Sequence, residues 1–221
     1  ATTVVVIDHH ISFKKEFDAM YPNYEDAPFD YIYKNGIAAC EIGWEYFFPD
    51  IPVPPAISLL GKYDTWRGFG THPWSEETLP FQYYMRLVCT SAQTFPQLMF
   101  IAQQDSEDIS KAIETGKFIV EYQEQQDAVA CQRSAFVALV SGIPAICLNA
   151  RAFSSNTMKS VYNPEIHDMM VGFEFTGTKW TVSLRSDKPD VDVSVIAKSR
   201  GGGGHKAAAG FECSTFEEIF A

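Results

Sequence analysis

Val4-Val5-Val6-Ile7-Asp8-His9-His10 runs four β-branched apolar residues straight into one carboxylate and two imidazoles. Nothing in residues 3–7 alternates apolar with polar, and a strand of that kind is buried on both faces, as in a parallel sheet covered by helices. Adjacent strand residues point to opposite faces, so Asp8, His9 and His10 can share a site only where the strand ends and its tip faces a crevice. Open α/β sheets bind their ligands at such ends.

The rest of the chain alternates strands and helices, which predicts an α/β fold. Residues 36–48 carry Ile37, Cys40, Trp44, Phe47 and Phe48 at helical spacing and stop at Pro49. After a loop marked by Pro52, Pro54 and Pro55, residues 56–60 begin a second buried element that ends in Lys62-Tyr63-Asp64-Thr65-Trp66-Arg67. A helical region follows from about Thr94. Residues 106–133 are polar, with Ile109, Ile113, Gly116, Ile119, Val120 and Val129 on a narrow apolar stripe, as suits a long connecting helix.

Beyond that helix, short strands are predicted at 136–140, 145–148, 169–175 and 180–185, with turns at Ser141-Gly142-Ile143-Pro144 and Thr176-Gly177-Thr178. The acids of Asp190-Val191-Asp192 suit the start of a helix ending at Arg200. Four glycines break it, and a last short helix begins with the capping-box pattern Ser214-Thr215-Phe216-Glu217. The expected architecture is a partial parallel-sheet domain over 1–104, a connecting helix over 105–133, and a smaller α/β domain over 134–221.

Composition narrows the chemistry. The 221 residues are 46% hydrophobic, enough for one large or two small cores. With 17 basic against 28 acidic residues the formal charge is −11, which works against gripping a long polyanion, so a nucleic-acid partner should be short. The five cysteines are widely spaced without a CxxC pair, as expected of reduced core residues in a cytoplasmic protein. No apolar run approaches the roughly 20 residues of a membrane span, and no signal-peptide pattern is seen, so no membrane is expected.

Three constellations can carry chemistry. Asp8-His9-His10 offers oxygen and nitrogen ligands without thiolate, which suits a divalent ion such as Mn²⁺; the plainer reading is an Asp–His pair capping the next helix beside a surface histidine. Asp64 reads as a strand-end acid, and a lone Asp after a strand is usually a cap, but paired in space with His9 it becomes a second ligand. Gly201-Gly202-Gly203-Gly204-His205-Lys206-Ala207-Ala208-Ala209-Gly210 removes every Cβ from four positions, so that backbone amides can reach an anion and His205 and Lys206 can add donors. A flexible linker is the alternative. Arg185, at its strand end, offers a bidentate phosphate clamp or a surface charge.

Asp8-His9-His10, together with Gly202-Gly203-Gly204-His205 and Ala208-Ala209-Gly210, resembles the DHH/DHHA1 phosphoesterase superfamily. Val182-Ser183-Leu184-Arg185-Ser186, Val191-Asp192-Val193 and Ile196-Ala197 resemble the rest of the DHHA1 signature. The 62–67 segment is similar to the fourth motif of the small nanoRNase members, which are oligoribonuclease and nucleotide phosphodiesterases. The resemblance implies two Mn²⁺ ions in a DHH domain and a metal-held water attacking phosphorus. His9 and Asp64 match ligands of one ion, Asp8 a residue orienting an imidazole, and His10 one that meets the scissile phosphate. Arg185, His205 and the amides of Gly202, Gly203 and Gly204 match the grip on the substrate's other end.

Family members carry two earlier metal motifs ahead of the DHH triplet, and here only seven residues precede Asp8. The chain is therefore expected to be a fragment that holds Mn²⁺ at most weakly and is inactive alone. Expected partners are short RNA or a small nucleotide such as a dinucleotide or 3′-phosphoadenosine 5′-phosphate, with a homodimer left open. Tyr63, Trp66 and Phe69 could stack a base or belong to the core. Pyrophosphatase, polyphosphatase and cyclic-dinucleotide phosphodiesterase activities, and a non-catalytic nucleotide-binding module, stay open as alternatives.

Overall fold

The structure, a computed structural model, describes residues 4–94, 106–150 and 156–221 of a mixed α/β chain. The chain forms two compact units, residues 1–121 and 122–221, and the division falls within one long helix.

In the first unit β1 (Val5–Asp8) leads into α1 (Ile11–Met20), then β2 (Asp30–Tyr33), α2 (Ala39–Phe47), α3 (Pro55–Asp64) and α4 (Leu79–Val88). The long helix α5 (Ser106–Ser134) follows the undescribed residues 95–105, on which the helical expectation from residue 94 falls. Strands β1 and β2 pair in parallel, from Val5 opposite Asp30 to Asp8 opposite Tyr33. Helix α1 makes the crossover between them, and its Phe17, 3% exposed, packs its ring 4.4 Å from Tyr31. A separate core joins Ala56 and Leu59 of α3 to Phe81 and Met85 of α4 and to Ile109 and Ala112 of α5. That contact explains the first half of the apolar stripe on α5, whereas Val129, further along, is exposed.

One sequence expectation needs correction in the first unit. The element beginning at residue 56 is a helix, so Asp64 ends a helix and not a strand. Pro55 stands in its first turn, where the missing N–H costs nothing, and a short apolar run does not reveal its period. Helix α4 and strand β2 were not anticipated, and α1 entered only as the next helix of the capping alternative: its Lys14, Lys15, Glu16 and Asp18 interrupt the apolar pattern, and β2 is only four residues long.

The second unit is a six-stranded sheet of β3 (Phe136–Val140), β4 (Ile143–Asn149), β5 (Met169–Phe175), β6 (Trp180–Arg185), β7 (Gly203–His205) and β8 (Ala208–Cys213). The strand order is β3-β4-β5-β6-β8-β7, and only the β4/β5 pair is parallel. Successive residues of each strand alternate between faces as the pleat requires. On one face Val171, Val182, Leu184, Ala209 and Phe211 pack against α6 (Val193–Ser199) and Ile219. On the other, Ile146, Leu148 and Met170 meet Cys131 of α5 and Met158. Asp192 caps α6 by accepting the N–H of Ser194 at 3.0 Å. The last predicted helix is a single 3-10 turn at Glu217–Ile219. Of the cysteines, Cys131 and Cys147 are buried, but Cys40 is exposed, against the expectation of a core residue. No described helix is long and apolar enough to cross a membrane.

Candidate metal centre

Two residues separate β1 from α1, and Asp8 organises both. Its Oδ1 accepts the backbone N–H of His9 at 2.8 Å and that of His10 at 3.2 Å, and it meets His10 Nδ1 at 2.7 Å. Partial burial pushes the Asp8 carboxyl up, but the hydrogen bonds from His10 and the two backbone N–H groups outweigh it and hold the carboxyl below the usual aspartate value. A carboxylate only accepts, so the shared proton sits on His10 Nδ1 and the lone pair of that ring lies on Nε2. A carboxylate orienting an imidazole in this way is the standard support of a metal-binding histidine. The capping alternative is not met: His10 is the N-cap of α1 and no side chain caps it, while Asp8 bonds the two residues before the helix.

His9 is held differently. The N–H of Ala39, a donor at the start of α2 that no helical carbonyl can satisfy, points at His9 Nδ1 at 3.2 Å. With Nδ1 accepting, the proton of the neutral ring is on Nε2, and Nε2 lies 3.4 Å from Asp64 Oδ2 at the end of α3. The imidazole is mostly enclosed, with its side chain 13% exposed, while the Asp64 side chain is 57% exposed. The rings of His9 and His10 stand 4.2 Å apart between centroids. One ligand atom from each of Asp8, His9 and His10 lies within 4.8 Å of the others. Oxygen and nitrogen donors gathered this closely fit a divalent ion of the manganese class. For His9 Nε2 to ligate, its proton must move to Nδ1 and the Ala39 N–H must give up its acceptor.

Glu41 is the residue that sequence reasoning missed. It sits in the first turn of α2, only 5% exposed, and accepts the N–H of Ala38 at 3.2 Å. Its carboxylate also pairs with the guanidinium of Arg67. Arg67 Nε donates to Thr65 Oγ1 at 3.0 Å, and the Thr65 hydroxyl donates to the Gly61 carbonyl at 2.7 Å. The start of α2, which holds His9, and the end of α3, which presents Asp64, are therefore tied through one buried carboxylate. The only sequence signal was a Glu three residues after the helix start.

In the second unit the glycine tract is not an open loop. Gly203, Gly204 and His205 form β7, which pairs with β8, and Lys206-Ala207 makes the two-residue turn between them. A Cβ on Gly204, whose φ is +137°, would stand 2.5 Å from the Cα of Ala209. Its lack of a side chain thus serves strand packing first. The register still gathers the predicted anion-binding side chains: Arg185 on β6 lies opposite Ala208 on β8, and Ala208 lies opposite His205 on β7. Directly opposed residues project to the same face, so a guanidinium and an imidazole flank one methyl group in a row at the end of the sheet. Gly202, Gly203 and Gly204 run along the edge beside them.

No protein-family model matches the chain. It is 29% identical over 233 residues to the uncharacterized protein R106 of Acanthamoeba polyphaga mimivirus, a match that takes in 99% of this chain and 51% of that protein. The chain thus spans about half the length of the curated relative it matches. Among solved structures it is similar to the pGpG-specific phosphodiesterase PggH from Vibrio cholerae, at 12% identity over 82% of this chain and 69% of that one with a TM-score of 0.47. It is also similar to an exopolyphosphatase-related protein from Bacteroides fragilis, at 14% identity over 99% of this chain and 68% of that one with a TM-score of 0.50. This last likeness establishes that the chain has the α/β fold of that exopolyphosphatase-related protein.

Proposed function

We propose that the chain is a phosphoesterase of the DHH/DHHA1 superfamily, of the nanoRNase type, that hydrolyses short oligoribonucleotides, dinucleotides or 3′-phosphoadenosine 5′-phosphate with the help of Mn²⁺. The observation that carries this reading is the meeting of two separate sequence motifs: His9 Nε2 stands 3.4 Å from Asp64 Oδ2. The fold and the row formed by Arg185, Ala208 and His205 support it.

His9 and Asp64 would hold the ion, with Asp8 and His10 beside them. A bound divalent ion supplies charge neutralisation at phosphoryl oxygens and an acidified water at neutral pH. Asp8 fixes the His10 ring by the 2.7 Å contact to Nδ1, so that in its imidazolium form His10 would turn an Nε2–H donor to the scissile phosphate. Ligands are few, so the chain by itself holds Mn²⁺ weakly. In the second unit, Arg185, His205 and the amides of Gly202, Gly203 and Gly204 would bind a phosphate or nucleotide group. The formal charge of −11 favours short substrates over long strands.

A panel of dinucleotides, cyclic dinucleotides, 3′-phosphoadenosine 5′-phosphate and pyrophosphate, assayed with the full-length protein in Mn²⁺, tests the proposal. Mononucleotide release that disappears in His9→Ala and Asp64→Asn is the expected result. Orthophosphate release from pyrophosphate alone would favour the inorganic-substrate alternative, and tight nucleotide binding without turnover would favour a binding module.

A further inference from the structure

Trp66 is two residues beyond Asp64, so its Cα is no more than about 7.5 Å away. It is a bulky residue at φ +56°, in a region that non-glycine residues seldom occupy. This conformation is held by its surroundings: the Trp66 N–H donates to the Tyr63 carbonyl at 3.3 Å, and the Arg67 N–H to the Lys62 carbonyl at 3.0 Å. The Arg67 side chain is anchored on buried Glu41. So constrained a turn could have hidden its indole in the core. Instead Trp66 is 47% exposed.

Its inner side is filled. Trp74, only 6% exposed, lies nearly parallel to it at 19° with centroids 6.0 Å apart, and Phe69 meets it at 62° and 4.9 Å. Tyr63 stacks on Trp74 in turn, at 14° and 5.6 Å. The result is an aromatic cluster in which Trp66, like Phe69 at 48% exposed, is presented to solvent, two residues from the carboxylate that faces His9. Nucleobases bind single-stranded sites by stacking on such rings, with little dependence on sequence. An inorganic phosphate chain has no π face to offer.

We propose that Trp66 is the platform on which one base of a nucleotide substrate stacks while the phosphodiester lies at His9 and Asp64. The inference rests on the phosphoesterase reading above and narrows it to substrates that carry a base close to the scissile phosphate. It makes Trp66 a specificity-determining residue, separating nucleotide esters from pyrophosphate and polyphosphate.

The test is calorimetric titration of the full-length protein, with Ca²⁺ in place of Mn²⁺, using diadenosine monophosphate dinucleotide and, separately, pyrophosphate. Trp66→Ala should weaken dinucleotide binding about tenfold or more, Trp66→Phe should restore most of it, and pyrophosphate binding should change less than about twofold in either variant. Equal loss for both ligands, undiminished dinucleotide affinity in Trp66→Ala, or no dinucleotide binding by the unmodified protein would each overturn the inference. Failure of the phosphoesterase reading shows elsewhere, as dinucleotide binding without any Mn²⁺-dependent turnover.

Discussion

The carboxylate of Glu41 occupies the space that a side chain on Gly61 would need: a Cβ built there would lie 2.3 Å from Oε2 and 2.9 Å from Cγ. Glycine inside a helix ordinarily costs up to about 1 kcal/mol relative to alanine, so Gly61→Ala would be stabilising on propensity alone. The close approach reverses the sign. Gly61→Ala should destabilise the chain by about 2 kcal/mol, because Glu41 must leave Arg67 to make room. Arg67→Ala should cost a similar amount, less than a fully buried pair since the Arg67 side chain is 37% exposed. Denaturant titration of the two single variants and the double variant checks this, with the double expected to lose less than the sum.

Asp8 links the site to acid stability. Its folded carboxyl titrates below the usual 3.8, so the folded state gives up this proton more readily than the unfolded chain. The resulting stabilisation is present above about pH 4 and is lost as pH falls through 3.8 and on through the lower folded value. The stability difference between the native chain and Asp8→Asn should therefore be largest at neutral pH and shrink below pH 4, as measured by thermal melts across that range.

The β7 hairpin makes a sharper demand. A Cβ on Gly204 would press against Ala209 Cα at 2.5 Å and the Ala208 carbonyl at 2.6 Å, both part of a neighbouring strand. Gly204→Ala should destabilise the second unit by about 2 kcal/mol or more and displace His205 from its place opposite Ala208. Arg185→Ala should leave the fold intact and weaken pyrophosphate binding several-fold. Melting curves and phosphate titrations separate the two effects.

Cysteine accessibility gives an independent check of the packing. Burial pushes the Cys147 thiol up to about 12, and Cys131 is 2% exposed. Alkylation of the native protein should reach Cys40 well before either, and all should react in denaturant.

The fold was legible in the sequence where apolar runs were long or turn chemistry was explicit. The strands Met169–Phe175 and Trp180–Arg185 fall where the run of β-branched and aromatic residues around Thr176-Gly177-Thr178 puts them. The long helix at Ser106–Ser134 was visible through its polar surface and sparse stripe. Asp64 was legible as a candidate but not as the end of a helix, because Ala56-Ile57-Ser58-Leu59-Leu60 is too short to show its period. Gly202 and Gly204 announced a special backbone, yet composition does not distinguish an anion cradle from a tight strand crossing; only the register with β8 does. Glu41 showed only as a Glu three residues after a helix start. Its importance comes from Gly61 on α3 and Arg67 in the turn after that helix, and contacts of that kind leave no local signature.

The central claim is that His9 and Asp64 hold one ion together, and a double-mutant cycle on Mn²⁺ affinity, read by electron paramagnetic resonance of free Mn²⁺, tests it most directly. His9→Ala and Asp64→Asn should each weaken binding about tenfold or more, and the double variant should be little worse than either. Fully additive losses, or wild-type Mn²⁺ affinity in Asp64→Asn, would contradict the account.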